Sequence, residues 1–227
     1  MGQKPARPDR AQPRKTRKKW KNLCADIDRR LNAVYGGIAD FCLKTEPRRE
    51  EQNMKKLEEY VRCIPDFPEE GVMFRDVTSV LQDADGLHLA IDTMQELVKD
   101  LDFDIVVGPE SRGFIFGTPI AYNNHKPFVL IRKKGKLPCE TVSMEYELEY
   151  GTAVIEIHKD AILPGQKILI VDDLIATGGT TEAMIRLVES LGGEVVGVVV
   201  LMELAGLKGR EKLKGYRLES AICYEGK

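Results

Sequence analysis

The chain has 227 residues, 43% of them hydrophobic, enough to bury one α/β core of ordinary size with extra segments. No apolar run approaches the roughly 20 residues of a membrane span and the N-terminus lacks the apolar centre of a signal peptide, so a cytosolic protein without a membrane role is expected. Five scattered cysteines (Cys24, Cys42, Cys63, Cys139, Cys223) make no CxxC pair, which argues against a zinc site or disulfide scaffold, and the net charge of −2 hides a basic front: residues 1–53 carry 14 Lys and Arg against 7 Asp and Glu, leaving 20 against 29 for the remainder.

The first 21 residues, rich in Pro, Arg and Lys with a single Trp, read as a basic, disordered tail. Their lack of serine argues against a transit peptide, and Ala6 stands where a myristoylation signal needs Ser or Thr. Residues 22–43 show weak helical periodicity (Leu23, Ile27, Leu31, Val34) broken at Gly36-Gly37, and "TEPRREEQN" is a charged linker. After Met54 the character changes. "MKKLEEYVRCIPDF" predicts an amphipathic helix ended by Pro65, and "PEEGVMFRDVTSVL" a loop rich in turn residues. Next come a helix over 86–100, a strand at "FDIVVG", a helix over 112–122 and a strand at "PFVLIR". A β-rich excursion over 140–158 leads to the strand "KILIV", a helix over 180–191 closed by Gly192-Gly193, and the strand "EVVGVVVLME". No repeat is evident. The alternation implies an α/β fold: a mostly parallel, Rossmann-like sheet flanked by helices.

In such sheets ligands bind beyond the carboxyl ends of the strands. Asp172 and Asp173 fall there, and Ala176, Thr177, Gly178, Gly179, Thr180 and Thr181 lead into a helix whose apolar face carries Ala183, Met184, Leu187, Val188 and Leu191. Glycines that let the backbone approach, exposed amides and a helix N-terminus together make a phosphate cradle. It is not a Walker loop, because no lysine follows the glycines. The two carboxylates suit the vicinal hydroxyls of a ribose whose 5-phosphate lies in the cradle. Asp-Asp can also be a solvated cap, and Gly-Gly a tight connection; the joint pattern carries the reading.

That pattern resembles the signature of the type I phosphoribosyltransferases, which bind 5-phosphoribosyl 1-diphosphate. "IPDFPEEGVMFRD", "VGPESRGFIFG", "RKKGKLP", "LEYGTAVIEIHKDAI" and "MELAGLKGREKL" resemble one branch, the adenine phosphoribosyltransferases, from about Met54 to the C-terminus. The resemblance implies a phosphoribosyltransferase domain over 54–227 behind a separate extension at 1–53, with a small hood and a flexible catalytic loop. It implies adenine and phosphoribosyl diphosphate as substrates, AMP and diphosphate as products, and Mg²⁺ bound through the diphosphate. No ligand of the metal is a protein atom in that scheme, beyond a water-mediated contact to Asp172 or Asp173.

Site residues follow from the same resemblance. Asp172, Asp173 and residues 176–180 would hold the ribose phosphate. Glu110, Ser111, Arg112, Arg132, Lys133 and Lys136 would hold the diphosphate, with a cis peptide between Glu110 and Ser111. Phe74 would stack on adenine, and the backbone at Arg75 would read its edge. Glu149, Tyr150, Arg112 and Lys136 form the catalytic set, with Glu149 as the proton acceptor and Glu145 and Glu147 close by. A homodimer is implied, with the helix of "VGPESRGFIFGTPIAY" as its contact. Two alternatives stay open: a 6-oxopurine such as xanthine as the base, and a regulator binding DNA through the front segment, which has too few apolar residues for a helix-turn-helix core.

Overall fold

The computed structural model describes residues 55–147 and 151–226. Along the chain run a 3-10 turn (Leu57–Tyr60), β1 (Arg62–Pro65), β2 (Met73–Asp76), α1 (Thr78–Leu81), α2 (Ala84–Leu97), β3 (Ile105–Pro109), α3 (Arg112–Asn123) and β4 (Phe128–Lys133). There follow β5 (Thr141–Glu147), β6 (Thr152–His158), β7 (Lys167–Ile175), α4 (Gly179–Ser190), β8 (Glu194–Leu204), a 3-10 turn (Ala205–Leu207), α5 (Gly209–Lys212) and β9 (Leu218–Tyr224). Lys55–Lys227 makes one compact unit.

Seven strands form one sheet in the order β5-β6-β4-β3-β7-β8-β9. The pairs from β4 through β9 are parallel, while β6 runs antiparallel to both β4 and β5. Parallel strands covered on both faces carry apolar side chains at every position. Alternation then divides them between two cores. Val106, Leu169, Val171, Val199 and Leu201 pack with Ala90 and Met94 of α2 and Phe116 and Ile120 of α3. Ile105, Val107, Ile168, Ile170, Val198 and Val200 pack on the other face with Met184, Leu187 and Val188 of α4. The α/β expectation holds.

Local departures have physical causes. The helix expected from "MKKLEEYVRCIPDF" is only the 3-10 turn, followed by β1. A single turn is too short to persist as an α-helix, and pairing of Arg62 with Asp76 through Pro65 with Met73 draws the rest of the segment into a strand. The expected loop "PEEGVMFRDVTSVL" therefore holds β2 and α1. This two-stranded sheet matches the expected small hood. Helix α2 starts two residues ahead of expectation because the Asp83 side chain caps it, accepting from the amides of Asp85 and Gly86 at 2.9 and 3.0 Å. The strand at β9 was not expected. Among the described residues no helix is long and apolar enough to cross a membrane.

Candidate active site

Strand β3 has β4 on one side and β7 on the other. A reversal of strand order of this kind opens a crevice at the carboxyl ends of the strands. A cleft of about 430 Å³ lies there, lined by residues 109–112 at the end of β3 and beyond it, by Lys133 and Tyr146, and by residues 172–181.

Strand β7 extends to Ile175, so Asp172 and Asp173 stand within the strand instead of after it. Asp172 is paired in register with Val200 of β8, and the two carboxylates are only 7% and 5% exposed. Burial, then the adjacent Asp173 charge, push the Asp172 carboxyl well above the ordinary carboxylate range. Its Oδ1 accepts the Asp173 amide at 2.8 Å. Asp173 is partnered differently: Arg112 at the start of α3 donates from Nε to its Oδ2 at 2.5 Å. By strand alternation Asp173 shares the face of Val171 and Leu169, the face on which α3 packs.

Past Ile175 the chain turns through residues 176–178 into α4. Gly178 sits at the helix N-cap with φ 80°, a left-handed conformation that L side chains adopt only at a cost. The first-turn amides of α4 lack intrahelical acceptors and open on the cleft beside Thr180 and the buried Thr181, as an anion site requires. Across the cleft the Glu110–Ser111 peptide is cis, as the resemblance implied.

Most of the expected residues meet here: Glu110, Ser111, Arg112, Lys133, Asp172, Asp173, Ala176, Thr177, Gly178, Gly179 and Thr180 all line the cleft. Arg132 is outside this lining, and its guanidinium is engaged within the protein. Its Nε and Nη2 donate to the Glu110 carboxylate at 3.1 and 3.2 Å, and Nη1 donates to the Lys136 carbonyl at 3.1 Å. The Arg132 bond holds the Glu110 carboxyl below its usual range. Lys136 is absent from the cleft lining. Phe74 and Arg75 lie on β2 in the separate small sheet, Phe74 edge-on to Phe67 with centroids 5.1 Å apart. The Arg75 side chain lies 4.2 Å over the Tyr224 ring and donates to Cys63 Sγ, so its guanidinium is engaged by β9 and β1. Glu149 and Tyr150 lie outside the described residues. Tyr146, on β5, lines the cleft without having been expected; its strand reads as plain alternation, which gives no sign of which face meets a ligand.

The phosphoribosyl transferase domain family matches residues 76–227. An adenine phosphoribosyltransferase from Lachnoclostridium phytofermentans is 72% identical over 174 residues, 77% of this chain and 100% of that protein. The chain belongs to the adenine phosphoribosyltransferase family. The family's crystal structure from Thermoanaerobacter pseudethanolicus superposes with a TM-score of 0.71 at 52% identity, covering 74% of this chain and 100% of that one. Another from Saccharomyces cerevisiae, complexed with an imino-altritol bisphosphate and adenine, gives 0.68 at 38% identity, covering 73% and 96%.

Proposed function

We propose that the cleft binds 5-phosphoribosyl 1-diphosphate and that the protein transfers its phosphoribosyl group to adenine, giving AMP and diphosphate. The observation that carries the reading is the meeting of two loops on neighbouring parallel strands, the Glu110–Arg112 loop and the Asp172–Thr181 stretch, in a single cleft. Adenine in the yeast relative supports the choice of base.

The buried carboxylates of Asp172 and Asp173 accept hydrogen bonds from the ribose hydroxyls. Amides and hydroxyls of residues 176–180 take the 5-phosphate. Ser111, Arg112 and Lys133 face the diphosphate, with Glu110 held in place by Arg132 and Lys136 adding charge from the adjoining turn. As the purine nitrogen forms its bond to the anomeric carbon, the bond from that carbon to the diphosphate oxygen breaks. Its electron pair leaves with diphosphate, and cationic groups there stabilise the departing charge. The purine proton passes to a carboxylate, for which Glu149 is the candidate, with Tyr150 beside it. Phe74 supplies a ring for the base to stack on, and the backbone at Arg75 its edge contacts.

Among the described residues no group of three or more His, Cys, Asp or Glu side chains converges as a protein metal cage would require, yet two carboxylates lie on the cleft floor. That donor set fits Mg²⁺ held mainly by substrate phosphate and water, with Asp172 or Asp173 reached through water. Bound in this way, the ion neutralises charge on the diphosphate. The protein acts as a homodimer in the cytoplasm. Apolar side chains on the outer face of α3 and beside it, Ile115 (40% exposed), Tyr122 (83%) and Leu130 (38%), support a second copy seated there. Free, exposed thiols at Cys63, Cys139 and Cys223 support a reducing compartment.

Diphosphate release measured in parallel with adenine, guanine, hypoxanthine and xanthine tests the activity. Turnover with adenine that needs Mg²⁺ is expected, and equal or faster turnover of hypoxanthine or xanthine would overturn the base. Sedimentation at micromolar concentration is expected to show a dimer, and a monomer alone would remove the α3 interface.

A further inference from the structure

The cradle formed by residues 176–178 is backed by main chain from a different part of the sequence. A Cβ placed on Gly178 would lie 2.7 Å from the Gly209 carbonyl oxygen. One placed on Gly209 would lie 2.3 Å from the Ala176 carbonyl oxygen and 3.0 Å from the Gly178 nitrogen. The two backbones are thus in direct contact, with no side chain between them. A shift of Gly209 toward the cradle would therefore displace it.

Gly209 is held by its neighbour. Arg210 Nε donates to Glu203 Oε1 at 2.9 Å, Nη2 donates to Glu203 Oε2, and Nη1 donates to the Leu218 carbonyl at 2.7 Å. Glu203 is 5% exposed, lies on β8 opposite Ile175 at the end of β7, and accepts a further bond from Ser220 Oγ at 3.0 Å. A two-pronged guanidinium–carboxylate pair fixes direction as well as distance. Its strength shows in the Glu203 carboxyl, which the Arg210 hydrogen bond draws below its usual range. The segment behind the cradle is therefore tied to both β8 and β9 by a single side chain. Neither Arg210 nor Glu203 lines the cleft.

We propose that Arg210 and Glu203 are positioning residues for the 5-phosphate site: through Gly209 they fix the main chain of residues 176–178 at the spacing that a ribose phosphate needs. The proposal rests on the reading of those residues as a phosphate cradle.

The test uses the full chain and ribose 5-phosphate as probe, with binding followed by calorimetry and KM measured separately for phosphoribosyl diphosphate and adenine. Glu203→Gln keeps the shape and loses the two-pronged charged pair; Arg210→Lys keeps the charge and loses the fork. For Glu203→Gln the Kd for ribose 5-phosphate and the KM for phosphoribosyl diphosphate should each rise about tenfold, while the KM for adenine stays within twofold. Arg210→Lys should fall about midway, and it carries the same test if Glu203→Gln fails to fold. An unchanged Kd for ribose 5-phosphate in the folded variants, or equal weakening toward adenine, overturns the proposal. If the unsubstituted protein binds ribose 5-phosphate but makes no AMP, the base assignment falls alone and the comparison of variants still decides this proposal. If it does not bind ribose 5-phosphate, the cradle falls and the proposal with it.

Discussion

Asp172 carries a carboxyl group where burial and the neighbouring Asp173 raise the cost of its charge, and its titration is pushed well up as a result. An acid with a raised value in the folded state holds its proton more tightly when folded. Its effect on stability is therefore nil at low pH, turns unfavourable as pH rises from the unfolded carboxylate value toward the folded one, and stays unfavourable above it. Asp172→Asn removes the charge, and its side-chain oxygen can still accept the Asp173 amide. The variant should melt about 2–4 °C higher at pH 8, the shift that corresponds to roughly 1 kcal/mol in a chain of this size, with little gain at pH 4. No gain at pH 8 would mean that Asp172 is charged without penalty. Asp172→Asn combined with Asp173→Asn should abolish turnover, since each lost charged acceptor is worth about 1.5–3 kcal/mol. Near-normal kinetics in that double variant would remove the pair from the ribose site. Arg75 poses a different question, because its guanidinium is taken up by Tyr224 and Cys63. Its side chain ties the small sheet to β9 and leaves the base to its backbone. A cation over an aromatic ring is worth about 1 kcal/mol at a partly exposed site. Tyr224→Leu should thus raise the KM for adenine about fivefold with kcat preserved, and Tyr224→Phe should behave as the unsubstituted protein. Equal KM values for the two variants would count against the tie.

At the scale of elements, Gly178 and Gly165 form a matched pair, with φ of 80° and 82°. A Cβ on Gly178 meets the Gly209 carbonyl oxygen at 2.7 Å, whereas one on Gly165 meets nothing within 4 Å. Alanine at either site takes on the left-handed cost of about 1–2 kcal/mol. Only Gly178→Ala must also move the cradle. Both variants should melt lower by a few degrees, and Gly178→Ala alone should raise the KM for phosphoribosyl diphosphate at least tenfold. A KM unchanged in Gly178→Ala would show that the cradle tolerates displacement. The difference also explains what the sequence made legible. Strands β3, β7 and β8 are covered on both faces, so they read as unbroken apolar runs, and the Thr-Gly-Gly-Thr turn between β7 and α4 is local. The small sheet is not local: β1 and β2 have four residues each and exist by pairing with one another. Among the described residues β9 pairs only with β8, and its two buried residues, Leu218 and Ile222, are separated by the half-buried Glu219, Ser220 and Ala221, so it shows neither an apolar run nor a clean alternation. Within the site, Asp173 meets Arg112 across 61 positions and Glu110 meets Arg132 across 22. Motif spacing carries no trace of such pairs.

For the whole molecule the sharpest expectation concerns residues 1–53, which lie outside the described residues. Among the described residues, every one that lines the cleft is at Pro109 or beyond, and the small sheet begins at Arg62. The Lachnoclostridium phytofermentans relative is matched over its full length by 174 residues of this chain. Composition points the same way: the front segment is basic, poor in large apolar residues and interrupted by Gly36-Gly37 and Pro47, so it has little to bury. We therefore propose that residues 54–227 are the working unit. A protein that begins at Met54 should turn over adenine within twofold of the full chain. Its stability should change by no more than the roughly 0.5 kcal/mol of a surface alteration. Its charge should change sharply, because 20 Lys and Arg against 29 Asp and Glu leave a net charge of −9 in place of −2. Weak retention of the full chain on a polyanion column at low salt should therefore disappear in the shortened protein, while catalysis does not. Turnover tenfold slower, or loss of solubility on shortening, would make the front segment part of the enzyme. Specific, salt-resistant binding of duplex DNA by the full chain would give that segment a function of its own.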